Sequence, residues 1–329
     1  MTLRAKTSTY ILLIAGLGLA IGLIVHQGID DVARSVAAVG WGLLAVTFFH
    51  LIPLILDTLG WRALFERRER LPFADLLWVR WIGESVNQLL PVAQVGGEIV
   101  RSRLLTFRNM PGARAGALVV VDLTVGVFVQ ALFTLIGLAL LFAHYGDDGG
   151  IATNAAVGAG LFLFVVGGFY LAQRRGLFRL LARFIEWAAG ERAWFDLAGG
   201  AARLEQATFA LYRRRRAILA NGVWQLSGWI VGTGEVWLVL YFMGAPVSLV
   251  DALLLESLGQ AVRAAGFLVP GALGIQEGGY LLVGAVLGVA PEAALALSLA
   301  KRVREILLGL PALLAWQVIE GRRLVRRRD

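Results

Sequence analysis

Long apolar runs restrict this chain to very few folds. Six stretches each approach the roughly 17–25 apolar residues that a helix needs to cross a bilayer. Because lipid offers no partner to backbone N–H and C=O groups, such stretches must be helices. Charged residues make up 16% of the chain, against about 25% in soluble proteins, so we expect one membrane domain over residues 1–329. The predicted spans are residues 10–25, 39–59, 114–142, 151–172, 218–242 and 292–319.

Two further segments are apolar but contain helix breakers. Residues 73–105 are interrupted at Pro91, and residues 247–289 are interrupted at Pro270. Each pattern is typical of a re-entrant helical hairpin, which dips into the membrane and returns to the side it left. Broken backbone at that depth is tolerated only where it is buried in protein or lines a wet cavity. The second segment is apolar enough that two full crossings stay an open alternative.

Arginine-rich loops predict the orientation. Basic residues are concentrated in residues 62–70, 101–114, 174–216 and 321–329, whereas an alternate loop contains the acidic pair at 30–31. The positive-inside rule places the basic loops and both termini in the cytoplasm. The net charge of +8 is therefore explained by topology, and we expect no nucleic-acid partner. The excess of arginine and alanine over lysine points to a bacterium with a GC-rich genome, and hence to its cytoplasmic (inner) membrane.

This orientation makes the chain an inverted-topology repeat. Residues 39–143 run span, hairpin, span, and residues 218–319 repeat that order from the opposite side of the membrane. Residues 174–217 join them as a cytoplasmic connector, either a surface-lying amphipathic helix pair or a plain linker. We therefore predict an all-α polytopic membrane protein with six transmembrane helices and two re-entrant hairpins. Inverted repeats built around broken helices recur in transporters.

Charged residues inside the predicted helices fall on shared faces. Each costs about 2.5–3.5 kcal/mol to insert, so they must face one another or a wet cavity. One interpretation is that they neutralise one another and hold the helices together. The other is a polar cavity that holds an anionic headgroup while the lipid tail stays in the bilayer. The residues are Arg80, Glu84, Asn87 and Gln88; Asp122; Glu256, Gln260 and Arg263; and Lys301, Arg304 and Glu305, with Arg302 directed toward a neighbouring helix.

An anion is favoured because cations and helix N-termini meet near the breaks. Helices that restart after Pro91 and Pro270 would direct backbone N–H groups toward the membrane centre. Fixed positive charge would come from Arg80, Arg263, Lys301 and Arg304. Glu98 and Glu277 follow the two breaks, and they are either proton carriers or partners of those cations.

Metal and thiol chemistry have little support. The chain has no cysteine, and its three histidines, His26, His50 and His144, lack the spacing of metal ligands. We interpret them as solvated or interfacial, and we expect no metal and no cofactor.

Three motifs carry a family resemblance: PVAQVGGEIVRSRLL from Pro91, PGALGIQEGGYLLVGAVLG from Pro270, and LALSLAKRVREIL from Leu295. With these motifs the chain resembles the lysylphosphatidylglycerol synthase transmembrane, or flippase-like, family, and is especially similar to its hopanoid-biosynthesis-associated members. The resemblance implies the flippase-domain fold of the larger bifunctional synthases. Their soluble aminoacyl-transfer domain is not found before Asp329, so we expect neither synthase activity nor use of transfer RNA. The resemblance implies a polar path through Glu84, Asn87, Gln94, Glu98, Arg101, Gln276, Glu277, Arg302 and Arg304.

The leading interpretation is a lipid translocase rather than an enzyme. Its expected partners are an anionic phospholipid, a polyprenyl phosphate or a hopanoid, and assembly into a homo-oligomer stays open. One alternative is a membrane-embedded enzyme that modifies a polyprenyl or hopanoid lipid with Glu98 or Glu277 as general acid or base. The other is a proton-coupled exporter of small solutes.

Overall fold

A computed structural model gives the fold of the chain. It describes residues 21, 25–26, 29–90, 96–145, 194–266 and 269–326. Every regular element in these residues is a helix, which confirms the predicted all-α class. Several predictions lie outside the described residues: the span at 151–172, nearly all of the span at 10–25, the start of the connector, Pro91 and Gln94.

The helices before residue 146 are called the first half, and those after residue 193 are called the second half. These halves extend the predicted repeats, at 39–143 and 218–319, by the one helix that precedes each. The first half contains α1 (Ile29–Val39), α2 (Gly42–Phe49), α3 (Leu51–Ala63), α4 (Phe73–Leu89), α5 (Gly96–Thr106) and α6 (Gly112–Tyr145). The second contains α7 (Trp194–Tyr212), α8 (Arg215–Phe242), α9 (Leu249–Ala265), α10 (Ile275–Val286) and α11 (Pro291–Arg326). Single 3₁₀ turns lie at Arg67–Glu69 and Pro270–Ala272.

Two segments of the described chain are long and apolar enough to cross a membrane by length and composition alone. They are Gly42–Ala63, which joins α2 and α3, and Gly112–His144 within α6. The helices α8 and α11 are long, at 28 and 36 residues, but ionisable side chains such as Glu235 and Lys301 interrupt their apolar character. The prediction of six crossings therefore stays a prediction.

Both predicted breaks separate pairs of helices that pack together, α4 with α5 and α9 with α10. The second break contains Gly271 and Gly274 with φ angles of 63° and 76°. A side chain is strained in this left-handed region, so glycine permits the turn. The first hairpin closes more tightly, because a Cβ on Gly97 would lie 2.1 Å from the carbonyl oxygen of Gly83.

The two halves interleave rather than fold side by side. Between the halves, α3 packs on α8, α4 packs on α11, and α9 packs on α6. Within each half, the second limb of the hairpin packs on the long helix, α5 on α6 and α10 on α11. The first helix of each half packs on the long helix of the other half, α7 on α6 and α1 on α11. The counterparts by chain order are α1 and α7, α3 and α8, α4 and α9, α5 and α10, and α6 and α11. Exchanging each helix for its counterpart leaves these contacts unchanged.

Apolar side chains pack into two clusters. One surrounds Trp61, Leu105 and Leu118, and the other surrounds Val46 and Leu297. Because lipid is as apolar as these side chains, close van der Waals packing rather than water exclusion holds such helices together. Charged residues lie beside these clusters: the Arg101 guanidinium packs over the ring of Trp61 at 4.1 Å, and the Lys301 ammonium lies 5.6 Å from the ring of Tyr280.

Candidate functional site

A cavity of about 650 Å³ lies between the two halves. Sites for small molecules fall in the range of about 300–1,000 Å³. Helices of both halves contribute side chains to its wall, and the wall carries positive and negative groups in nearly equal numbers. Its ionisable lining is His50, Asp57, Arg80, Glu84, Glu98, Arg101, Asp122, Glu235, Glu256, Arg263, Lys301 and Arg304.

The structure brings most of the predicted site residues to this cavity. Those that line it are Arg80, Glu84, Asn87, Glu98, Arg101, Asp122, Glu256, Gln260, Arg263, Lys301 and Arg304. Four predicted residues, Gln276, Glu277, Arg302 and Glu305, are absent from the lining and support it through other contacts. Gln94 lies outside the described residues.

Asp122 on α6 is the centre of the charge cluster in the first half. Its Oδ2 accepts hydrogen bonds from Arg80 at 3.0 Å and from Arg101 at 2.6 Å. Its Oδ1 accepts from the side-chain amides of Asn221 at 2.9 Å and Gln225 at 3.1 Å. All these donors leave the buried carboxylate fully satisfied. The two amides belong to α8 and were not predicted, although a polar pair four residues apart in an apolar helix was the available signal.

Lys301 on α11 is the corresponding centre in the second half, with the opposite charge. Its Nζ lies 2.6 Å from Oε2 of Glu256 on α9. The same oxygen accepts from the hydroxyl of Tyr280 at 3.2 Å, and Oε1 accepts from Gln260 at 3.0 Å. In each half, a buried charge on the long helix is therefore neutralised by the hairpin of that half.

The residues behind the lining fix the second hairpin. Arg302 Nε donates to Oε1 of Glu277 at 2.8 Å, and the backbone N–H of Gly274 donates to Oε2 at 2.7 Å. Glu277 thereby caps the start of α10 and partners a cation, one of the two roles predicted for it. Arg263 and Glu305 form a second ion pair at 3.0 Å.

Glu98 and Gln276 also have defined partners. The amide of Asn87 donates to Glu98 at 3.0 Å, while its oxygen accepts from the backbone N–H of Gly97 at 2.7 Å. These bonds join the two limbs of the first hairpin. Gln276 donates to the hydroxyl of Ser298 at 2.9 Å, which joins α10 to α11.

His50 joins the two halves at the centre of the cavity. Its Nδ1 lies 2.9 Å from Oε2 of Glu235 on α8, and its Nε2 lies 3.1 Å from Oε1 of Glu84 on α4. Arg304 on α11 contacts the same ring. The sequence interpretation of His50 as solvated or interfacial is therefore wrong. Glu235 was missed as well, and a lone carboxylate within an apolar run was the signal for it.

The charges that face the cavity are not equally accessible. The side chains of Asp57 and Glu84 are 32% and 31% exposed, whereas those of Arg80, Arg101 and Lys301 are 12%, 7% and 2% exposed. The cations predicted to hold an anion each contact a carboxylate already. The charges therefore neutralise one another, as the first interpretation predicted, and they do so around a chamber.

Comparison with protein-family models shows which family has this sequence pattern. Residues 13–312 match the lysylphosphatidylglycerol synthase TM region. The chain belongs to this family. The match confirms the resemblance drawn from the two hairpin motifs, and it makes this a membrane protein with a lipid-related function. The narrower likeness to hopanoid-associated members stays a prediction. A comparison with curated protein sequences finds no match.

Proposed function

We propose that this protein translocates a membrane lipid, holding the polar headgroup in the cavity while the hydrocarbon tail remains in the bilayer. The observation that carries the proposal is the chamber of about 650 Å³ whose charged wall comes from both halves. A charged wall inside a membrane protein is costly unless it serves a polar substrate or its pathway. In this proposal the protein moves the lipid unchanged and is not an enzyme.

The proposed mechanism is alternating access. It requires six crossings, two re-entrant hairpins and two oppositely inserted halves, with both termini in the cytoplasm. The helix contacts support this arrangement, because they are unchanged when the halves are exchanged. Two equivalent halves can rock against each other and open one central site to either side of the membrane.

The exposed charges narrow the class of headgroup. Because each cation is already paired, a phosphate must share Arg80 or Arg263 with the carboxylates that hold them. Asp57 and Glu84 already have protein partners, but each is about one-third exposed to the chamber and can accept further hydrogen bonds from hydroxyl groups of a substrate. A phospholipid that carries an anionic phosphate and free hydroxyl groups meets both demands. A polyprenyl phosphate offers the anion with fewer donors, and a hopanoid offers hydroxyl groups alone.

The test is lipid exchange in vesicles that contain the purified protein. Fluorescent phosphatidylglycerol, phosphatidylethanolamine, polyprenyl phosphate and a hopanoid are each followed by chemical quenching of the outer leaflet. We expect at least one of them to exchange faster than in protein-free vesicles, and mass spectrometry to recover it unchanged. Exchange no faster than in empty vesicles for the whole panel would refute translocation, and a new lipid product would indicate an enzyme.

A matched pair of substitutions tests the cavity itself. Gly232 lines the chamber, and a Cβ there meets only ordinary contact, with the ring of Pro53 at 3.8 Å. Gly232→Leu should therefore fill the chamber without displacing a helix, and exchange should fall toward the protein-free rate. Gly278→Leu is the control, because Gly278 lies outside the lining and its Cβ would have no neighbour within 4 Å. Equal rates in both variants would argue against this chamber as the lipid path.

A further inference from the structure

The proposed translocation leaves its energy source open, and the residues around His50 suggest one. We propose that lipid movement is coupled to protons and that His50, together with Glu84 and Glu235, is the proton-binding site. This inference rests on the proposed function. It is argued from the contacts of His50, which connect elements of both halves.

The ring of His50 lies between two carboxylates. Nδ1 is 2.9 Å from Glu235 and Nε2 is 3.1 Å from Glu84. A carboxylate can only accept a hydrogen bond, and a neutral imidazole carries one N–H group. While both glutamates are ionised, both contacts are hydrogen bonds at once only when the ring holds a second proton. This geometry therefore contains a place for one additional proton.

Arg304 provides the alternative arrangement. Its Nη1 contacts Nδ1 of His50, lies 3.1 Å from Nε2 of the same ring, and lies 3.0 Å from Oε2 of Glu235. Because a guanidinium only donates, its contact with Nδ1 requires a bare nitrogen, and the neutral ring supplies one. In that state Nε2–H donates to Glu84, and Arg304 satisfies Glu235. Each protonation state thus has a complete set of partners.

A change from one arrangement to the other alters which residues join the two halves. A doubly protonated ring repels the guanidinium of Arg304, which has Glu305 at 3.5 Å as another partner. Arg304 belongs to α11 in the second half, while His50 belongs to the first. Protonation therefore exchanges a contact between His50 and α11 for one between His50 and α8. A change of partner at a contact between halves is the kind of two-state element that can bias domain rocking.

Water in the chamber can supply the proton, and further charged groups surround the site. The other ionisable groups that act on His50 and its partners are Asp57 on α3, Arg80 on α4, Arg263 on α9, and Lys301 and Glu305 on α11. Glu84 is 31% exposed, so water in the chamber reaches the site. Oε1 of Glu235 is buried and has no hydrogen-bond partner among the described residues, which leaves an acceptor free within the site.

The test compares lipid exchange with and without a pH gradient across the vesicle membrane. Fluorescent phosphatidylglycerol is the probe, and each variant is measured as the ratio of its lipid distribution with the gradient to that without it. With one proton per lipid, a gradient of one pH unit should shift the distribution by up to about tenfold. The shift should disappear in His50→Gln and persist in His144→Gln, since His144 is exposed at the end of α6.

The outcomes separate this inference from the function on which it rests. If the wild type exchanges lipid with no response to the gradient, or if His50→Gln responds like the wild type, coupling at His50 is refuted while translocation stands. If no lipid exchanges, both proposals fail. A second measurement keeps His50 in place and so does not depend on the folding of His50→Gln. In the His26→Gln, His144→Gln protein, His50 is the one remaining histidine, and nitrogen NMR in detergent should show its ring gaining a proton between pH 9 and 5. A ring that stays in one state across that range would overturn the proposal.

Discussion

The two halves solve the same problem with opposite charges. In the first half, a carboxylate on the long helix, Asp122, is bound by arginines from its hairpin. In the second half, an ammonium on the long helix, Lys301, is bound by Glu256 from its hairpin. The buried charges at Asp122 and Lys301 are thus neutralised in the same way, by the hairpin of their own half, although their signs are opposite.

The halves also differ in how completely their charges are enclosed. The first half leaves Asp57 and Glu84 about one-third exposed to the chamber, whereas the carboxylates of the second half, Glu256 and Glu305, are almost fully buried. Substrate contact should therefore rely on the first half, and structural stability on the second.

The largest effect should follow from removing the central charge of the first half. Asp122→Asn leaves Arg101 without its carboxylate and Arg80 with Asp57 alone, at 3.4 Å. Breaking a buried ion pair costs about 3–5 kcal/mol, so we expect the free energy of unfolding in detergent to fall by that amount. Asp75→Asn is the control, because its partner Arg108 is about half exposed. A similar loss in both variants would mean that Asp122 is not the centre of a buried cluster.

A somewhat smaller effect should follow in the second half. Lys301→Met leaves Glu256 with hydrogen bonds from Tyr280 and Gln260, so we expect a loss of about 3 kcal/mol, at the low end for a buried pair. The double variant Glu256→Gln, Lys301→Met should recover most of it, since no charge is then left unpaired. Thermal unfolding of the wild type, Lys301→Met and the double variant measures this recovery. A double variant no more stable than Lys301→Met would contradict the pairing.

The hairpins should differ in their tolerance of a methyl group. Gly97→Ala places a Cβ 2.1 Å from a backbone oxygen in the first hairpin, where overpacking should cost about 1–3 kcal/mol. Gly279→Ala in the second hairpin meets the side chain of Val262 at 3.1 Å and a backbone oxygen, that of Gly259, only at an ordinary 3.7 Å, so it should cost less. Unfolding midpoints in the same detergent rank the two variants. The reverse order would refute the tighter closure of the first hairpin.

The smallest effect concerns the turns before the two hairpins. In the first half, Glu69 binds Arg114 at 2.7 Å, whereas the turn before α9 is capped by the uncharged Ser248. Partial burial opposes ionisation of Glu69, but the Arg114 guanidinium outweighs it and holds the pKa of that carboxyl below its ordinary 4.5. Its stabilisation, about 1 kcal/mol for such a partly buried pair near the surface, is therefore complete above pH 4.5. It is lost as the pH falls through the lowered pKa.

Glu69→Gln should thus be slightly less stable than the wild type at pH 7 and equally stable in strong acid. Melting curves at a series of pH values check this. A difference that does not change with pH would show that the charge of Glu69 is not responsible.

Much of this architecture could be predicted from the order of residues. The helices α6, α8 and α11 contain the predicted spans to within a few residues, because hydropathy alone decides where apolar helices run. The breaks between α4 and α5 and between α9 and α10 were predicted from their prolines and glycines, whose backbone restrictions are local. Facing stripes of charge predicted most of the cavity wall, since a charged side chain in lipid must face inward.

The pairing of those charges could not be predicted. Asn221, Gln225 and Glu235 lie on a helix whose register against the first half is set by packing, and nothing near them in sequence indicates their partners. His50 shows the same limit. Its local sequence resembles an interfacial histidine, but the crossing of α3 over α8 places it between two carboxylates.

The sequence by itself determined that this is a helical membrane protein with two broken segments and charges that must be hidden from lipid, because the cost of placing polar groups in hydrocarbon depends on each residue and its near neighbours. Only the tertiary structure decided which charge meets which, how far each stays open to the chamber, and that a histidine joins the halves. Those properties depend on distances between side chains far apart in the chain, and only the interleaving of the two halves sets such distances.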